Sequence, residues 1–201
     1  DRAFSIIINL NNDLFVLRDK YNVKPLIYYK DDNNIVFSSE SCIFNNEKKN
    51  LNEVKNGEIL HISNFEIKTI YNSNIKYNSR CIFEYIYFMD EKSKWDNIYV
   101  YDFRKKLGNI LASSELDKNI LNNKNNYLVV GIPNTGKLSA KEYSKDLKLE
   151  YNQCIVKNKN IQRTFILKNN IERENAAKNK YIYDTNIIKN RNLVIIDDSL
   201  V

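Results

Sequence analysis

The residues whose types and spacing can do chemistry crowd into the second half of the chain. Leu193, Val194, Ile195 and Ile196 make a short, β-branched run, and two adjacent carboxylates, Asp197 and Asp198, follow it, then Ser199. A run of that kind reads as a strand buried on both faces, as in a parallel sheet. Open α/β sheets bind ligands outside the carboxyl ends of their strands, so an acid pair there can meet Mg²⁺ or the hydroxyls of a sugar. The same acids would also serve to cap a following helix or turn, and spacing alone leaves both readings open. A second run, 127–132, ends in Pro133-Asn134-Thr135-Gly136, ahead of helically spaced Leu138, Ala140, Tyr143 and Leu147. Strand, glycine turn and helix together can make an anion cradle, because turn amides and the helix N-terminus point at the ligand, although without context an ordinary turn is the better reading of these four residues. A third run, 151–156, leads into Lys157 and Arg163, which taken alone are solvated surface cations.

Other chemistries find little support. Cys42, Cys81 and Cys154 are far apart, with no Cys-x-x-Cys, and His61 is the single histidine, so neither a disulfide framework nor a zinc site follows. The net charge is +6, but the lysines are scattered among asparagines, which argues against nucleic acid as a partner and is compatible with a polyphosphate substrate. An apolar content of 43% is enough for a core. No run approaches membrane-spanning length and no signal peptide is visible, so the expectation is a cytoplasmic protein with no membrane partner. Asp1 in place of Met, with a strand-like run already at 3–10, reads as a cut edge.

The elements that must position these residues follow from periodicity. Up to residue 72, short apolar runs at 4–10, 14–17, 26–29, 35–37, 59–62 and 65–71 alternate with Asn/Asp turns, the pattern of antiparallel hairpins. Cys81-Ile82-Phe83-Glu84-Tyr85-Ile86-Tyr87-Phe88 reads as an aromatic-rich strand or buried connector. Val100, Phe103, Leu107, Ile110 and Leu111 predict one face of a helix over 97–113, within which Gly108 costs ~1 kcal/mol relative to Ala and points to close packing. Strands at 127–132, 151–156 and 193–196, with helices between them including one at 171–180, predict a parallel α/β sheet.

Several motifs, in order, resemble those of one family. Arg18-Asp19 through Pro25-Leu26, followed by Ser38-Ser39-Glu40-Ser41, is similar to class II glutamine amidotransferases; the 81–88 motif resembles the segment joining the two halves of amidophosphoribosyltransferases. Pro133-Asn134-Thr135 and the stretch from Lys157 to Ile166, ending Arg163-Thr164-Phe165-Ile166, resemble a metal-binding turn and a flexible loop of the same family. Val194 to Val201 resembles the start of the phosphoribosyl-pyrophosphate (PRPP) signature of type I phosphoribosyltransferases. The resemblance to amidophosphoribosyltransferases runs from about Arg18 to Val201. It implies an α/β two-domain fold. Residues 1–80 would be the C-terminal part of an N-terminal-nucleophile (class II) glutaminase antiparallel sandwich, 81–96 a connector, and 97–201 a type I phosphoribosyltransferase parallel α/β sheet. Both domains would be incomplete, the second stopping before the loop that cradles the 5-phosphate.

The implied reaction, the first step of de novo purine biosynthesis, makes 5-phosphoribosylamine, pyrophosphate and glutamate from PRPP, glutamine and water, in a homo-oligomer. By resemblance, Thr135, Asp197 and Asp198 would hold Mg²⁺, and Lys157, Arg163, Asp197, Asp198 and Ser199 would bind PRPP. Arg173 and Lys180 match further family positions. Asn134 stands where an acid is usual, and Asn160 and Gln162 replace a tyrosine and a glycine of the loop. Cys81 matches a cysteine that holds an iron–sulfur cluster in some members and is read as structural. The family's nucleophilic cysteine would lie upstream of Asp1, so this piece is expected to hydrolyse no glutamine and to bind PRPP weakly or not at all. A salvage phosphoribosyltransferase and a decayed PRPP- or nucleotide-binding regulatory module are the other readings.

Overall fold

Asparagine turns set the pairing of the first strands. Asn11 and Asn12 both take positive φ, 50° and 72°, and close β1 (Ser5–Leu10) onto β2 (Asp13–Arg18). Two left-handed residues in a two-residue loop match the right-handed twist of the flanking strands, and asparagine tolerates that conformation best after glycine. Asn64 and Phe65 make the same turn between β6 (Glu58–Ser63) and β7 (Glu66–Asn72), so Phe65 belongs to a turn rather than to the strand expected from 65 onward. A computed structural model of the chain describes residues 3–44, 51–75, 79–158 and 179–199, in two compact units, Asp1–Tyr101 and Asp102–Val201.

The first unit holds a four-stranded antiparallel sheet, ordered β1-β2-β6-β7, and a three-stranded one. The latter has β3 (Ile27–Lys30) between β4 (Ile35–Ser38) and β5 (Leu51–Glu53). Period-two alternation turns Leu60 and Ile62 inward on β6. With Val16, Leu26 and Val54 they form one cluster, against which Tyr28, Ile35 and Phe37 of the other sheet pack. β5 escaped sequence reading because only Leu51 of its three residues is apolar.

The 81–88 segment is helical rather than extended. It contains one π turn, Glu84–Phe88, which buries Glu84 and Tyr85 and leaves Ile82, Phe83, Tyr87 and Phe88 more than half exposed. The Lys24 ammonium meets the Glu84 carboxylate at 2.6 Å, and Tyr85 stacks on Trp95 with ring centroids 5.4 Å apart. Helical geometry lets both buried side chains project to one side while the remaining aromatics face water. β8 (Lys94–Trp95) and β9 (Ile98–Tyr99) then form a small hairpin, which delays the next helix to α1 (Val100–Ser113) instead of residue 97.

In α1 the buried line is Val100, Arg104, Gly108 and Ala112, while Ile110 and Leu111 are 52% and 43% exposed. The apolar face expected from the sequence is therefore not the packing face. Small residues win because α1 approaches α3 (Gly136–Leu147) at backbone distance. A Cβ on Gly108 would sit 2.3 Å from the Ser139 carbonyl oxygen, and the Ser139 hydroxyl donates to the Arg104 carbonyl at 2.8 Å. The close packing expected at Gly108 is present.

The second unit carries a parallel sheet, with β10 (Tyr127–Gly131) between β11 (Glu150–Tyr151) and β14 (Asn192–Ile196). Leu128, Val129 and Val130 are fully buried, so the strand covered on both faces is β10. β14 was expected to be that strand; it is an edge among the described residues, and its Ile195 is 54% exposed. The single strand expected at 151–156 is two short ones, β11 and β12 (Ile155–Lys157). β12 leaves the sheet to pair antiparallel with β13 (Tyr181–Tyr183). α2 (Lys118–Asn122) and a helical turn at Thr185–Ile188, both capped by an aspartate side chain, went unread in the sequence because each is too short to show a period. Most of the helix expected at 171–180, with Arg173, and the loop with Asn160, Gln162 and Arg163 lie outside the described residues. Among the described residues no helix is long and apolar enough to cross a membrane.

Candidate functional site

The parallel register of β10 and β14 ends with Gly131 opposite Ile196, so the two strands finish level. The Ile132 N–H donates to the Ile196 carbonyl at 2.9 Å and extends the ladder by one bond. Beyond it, one chain turns through Pro133-Asn134-Thr135 into α3 and the other runs into Asp197 and Asp198. Glycine permits this proximity. A Cβ on Gly136 would lie 2.3 Å from the Ile196 carbonyl oxygen, and one on Gly131 would lie 2.7 Å from the Lys137 Cα.

Thr135 sits at the N-cap of α3, yet its hydroxyl makes no capping bond. It donates instead to Asp198 Oδ1 at 2.7 Å, joining the two turns that follow the strands. The Asp198 N–H donates to Asp197 Oδ1 at 2.9 Å. Partial burial holds the Asp197 carboxyl above its usual range; the charge of Asp198 adds to this, while the Asp198 N–H and the Lys180 ammonium oppose it. Asp197 and Ser199 are exposed, Asp198 and Thr135 half-buried, and Asn134 points to an exposed turn position. The donor set is therefore two carboxylates and a hydroxyl, all oxygen, with a local excess of negative charge. Hard dications of the Mg²⁺ type choose such sets, and Mg²⁺ commonly takes only one or two carboxylates and completes its shell with water and substrate phosphate. No cluster of three or more His, Cys, Asp or Glu side chains occurs among the described residues, so this set would hold a cation only together with other oxygen ligands.

Of the cations expected here, Lys157 ends β12 at an exposed position opposite Tyr181, and Arg163 lies outside the described residues. Lys180, which was not singled out as a site residue, precedes β13; its carbonyl accepts from the Asn158 N–H at 2.9 Å and its charge reaches Asp197. Gln153 was also missed. Its side-chain amide donates to the Gly131 carbonyl at 2.8 Å and the Ile155 carbonyl at 2.7 Å. A glutamine just before a β-branched run is too common to signal this in a sequence. Gly136 could have been found, since a glycine opening a helix straight after a strand end marks close backbone approach. Cys81 is partly exposed, Cys154 is buried with its thiol pushed up by that burial, and all three cysteines are free.

A parallel sheet whose strand ends bring an acid pair against a hydroxyl-bearing turn is an α/β arrangement of the open-sheet type, a class in which ligands bind outside the carboxyl ends of the strands. No family model matches the chain. It is 32% identical to the amidophosphoribosyltransferase of Methanocaldococcus jannaschii over 99% of its own length and 44% of the relative's. It is 29% identical to that of Bacillus subtilis, covering 40% of that protein. Among solved structures, the B. subtilis glutamine PRPP amidotransferase complexed with ADP and GMP matches 99% of the chain and 42% of its own, with a TM-score of 0.79 at 28% identity. In sequence and in backbone the chain is thus similar to one stretch of these amidophosphoribosyltransferases, and it spans about two fifths of their length.

Proposed function

We propose that the chain supplies the PRPP site of a glutamine-dependent amidophosphoribosyltransferase that makes 5-phosphoribosylamine, pyrophosphate and glutamate from PRPP, glutamine and water. The observation that carries this reading is the Thr135 to Asp198 hydrogen bond across the level ends of two parallel strands. Matching relatives that bear that activity by name support it. In this reading 1–80 is the end of a class II glutaminase sandwich, 81–96 the connector and 97–201 the phosphoribosyltransferase part, in a cytoplasmic homo-oligomer.

Thr135, Asp197 and Asp198 would hold Mg²⁺, which supplies charge neutralisation to the pyrophosphate leaving group. The chain's own residues then bind and orient. Asp197 and Asp198 accept from ribose hydroxyls, Ser199 adds a donor beside them, and Lys157 and Arg163 neutralise pyrophosphate oxygens. Ammonia from glutamine attacks the ribose C1, the bond to pyrophosphate breaks, and the leaving group carries the electron pair away. Preorganised donors at that developing charge are worth about 3 kcal/mol each. Pyrophosphate release by the complete gene product, with PRPP and Mg²⁺ and with glutamine, ammonia or neither, tests the reading. Turnover with glutamine is expected. Turnover with ammonia alone would place a defect in the glutaminase half or the ammonia channel, and no turnover with either nitrogen source would overturn the assignment.

A further inference from the structure

The backbone ladder between β10 and β11 stops early. Leu128 pairs with Glu150 and Val129 with Tyr151, and the Asn152 N–H donates to the Val129 carbonyl at 3.2 Å. The next acceptor along β10 is the Gly131 carbonyl, and among the described residues no backbone donor on the side of β11 takes it, because the chain swings away toward β12. The Gln153 side chain fills that place. One amide nitrogen donates to Gly131, at the end of the strand leading to Thr135, and to Ile155, the first residue of β12. Its oxygen accepts from the Tyr151 hydroxyl at 2.8 Å. The amide orientation follows from its partners: reversed, the oxygen would face two carbonyl oxygens.

The two strands so joined carry different parts of the site. β10 delivers Thr135, level with Asp197 and Asp198. β12 and β13 carry Lys157 and, one residue before its start, Lys180, held together by the Asn158 N–H on the Lys180 carbonyl. The ribbon's other tie, the Asp184 N–H to the Cys154 carbonyl at 3.0 Å, holds β13 to the same root.

We propose that Gln153 is a positioning residue: its amide nitrogen, donating to two carbonyls, fixes the β12–β13 ribbon to the end of β10, so that Lys157 meets the diphosphate of a substrate whose ribose lies at Asp197 and Asp198. The inference rests on the PRPP reading above. It adds Gln153 as the group that sets the height of Lys157; Lys180, opposite Asn158, projects from the other face of the ribbon. Gln153 touches no substrate, so it acts on substrate affinity through the lysine.

The test uses the complete gene product and measures pyrophosphate release, with KM for PRPP separated from kcat. Q153L, close in volume, leaves two carbonyls without donors, and Q153E turns a carboxylate oxygen on them. KM for PRPP is expected to rise on the order of tenfold in Q153L and further in Q153E, with KM for glutamine unchanged. A double-mutant cycle separates positioning from mere stability. The KM penalty of K157A should shrink at least threefold in the Q153L background, since a misplaced lysine has less to lose. Equal penalties in both backgrounds would overturn the proposal. Should Q153L not fold, Y151F removes only the hydroxyl that steadies the amide. It is expected to raise KM for PRPP about threefold, and an unchanged KM would overturn the positioning role. Failure of the wild type to bind PRPP with Mg²⁺ by calorimetry would instead sink the parent reading.

Discussion

The two units use polar side chains in opposite ways. In the first, buried polar groups are consumed by the fold. Arg18, 2% exposed, donates through Nε to the Lys24 carbonyl at 3.1 Å and through Nη1 to the Val54 carbonyl. Asp19, 1% exposed, accepts from the backbone N–H groups of Tyr21 and Val23, and Glu58 holds the Lys55 N–H and the Thr69 hydroxyl. In the second unit the acid pair stays near water, tied by a single cross-strand hydrogen bond. A carboxylate that already holds two backbone donors has little left to offer a ligand. An exposed pair of like charges is a cost in isolation and an asset once a cation arrives. Polarity therefore marks structure in the first unit, while the second adds to its structural groups, such as Ser139, an acid pair left available.

Substitutions should divide along that line. The largest loss of stability is expected from R18L, which strands the buried Val54 carbonyl and the half-buried Lys24 carbonyl and breaks the contact with Glu53; about 3–5 kcal/mol should be missing from the urea unfolding free energy of the first unit. A loss below 1 kcal/mol would show that those carbonyls find water. Next come G108A and G136A, each adding a Cβ 2.3 Å from a backbone oxygen and each expected to cost about 1–3 kcal/mol by urea unfolding. Their contrast sharpens the comparison: only G136A, beside Ile196, should also weaken Mg²⁺-dependent PRPP binding by the complete gene product. D198N keeps an acceptor for Thr135 and relieves the charge on Asp197, so stability should hold within about 0.5 kcal/mol while PRPP affinity measured with Mg²⁺ falls on the order of 10–100-fold. A large stability loss in D198N would erase the distinction between the units.

The smallest effect concerns pH. The Tyr143 hydroxyl donates to the Glu115 carboxylate, and that hydrogen bond lowers the Glu115 acidity range, as does the Asp117 N–H. A depressed carboxylate stabilises the fold above its ordinary range and loses that contribution as pH falls through the lowered value. Glu115 is close to solvent, so the contribution is less than about 1 kcal/mol. E115Q should flatten the acid limb of the stability curve of the second unit between the ordinary carboxylate range and the lowered value, and leave neutral stability nearly unchanged. An acid limb identical to that of the parent chain would show that this hydrogen bond carries no linked protonation.

Much of this was legible because it is local. The β1–β2 hairpin follows from an asparagine pair that tolerates positive φ, and β6 from strict alternation. β10, α3 and β14 follow from short apolar runs with glycine and proline between them, and the motifs at 133–135 and 194–199 resemble those of one family apart from Asn134. What failed were questions of partner. Ile110 and Leu111 promised a buried face on α1 by periodicity, but the helix packs along Arg104, Gly108 and Ala112, because only small residues and a hydrogen-bonded serine allow backbone approach to α3. Ile195 is as apolar as Val130, and their burial differs only because β10 is central and β14 an edge among the described residues.

By itself the sequence determined which residues turn, which alternate, and which carry charge or hydroxyl, since propensity and spacing act over a few residues. Tertiary structure alone decided that Thr135 gives its hydroxyl to Asp198 rather than to its own helix, and that Gln153 replaces a missing ladder bond. Each of these depends on two strand ends separated by tens of residues finishing at the same height. Register between non-neighbouring strands is set by the packing of the whole sheet, and no local pattern encodes it.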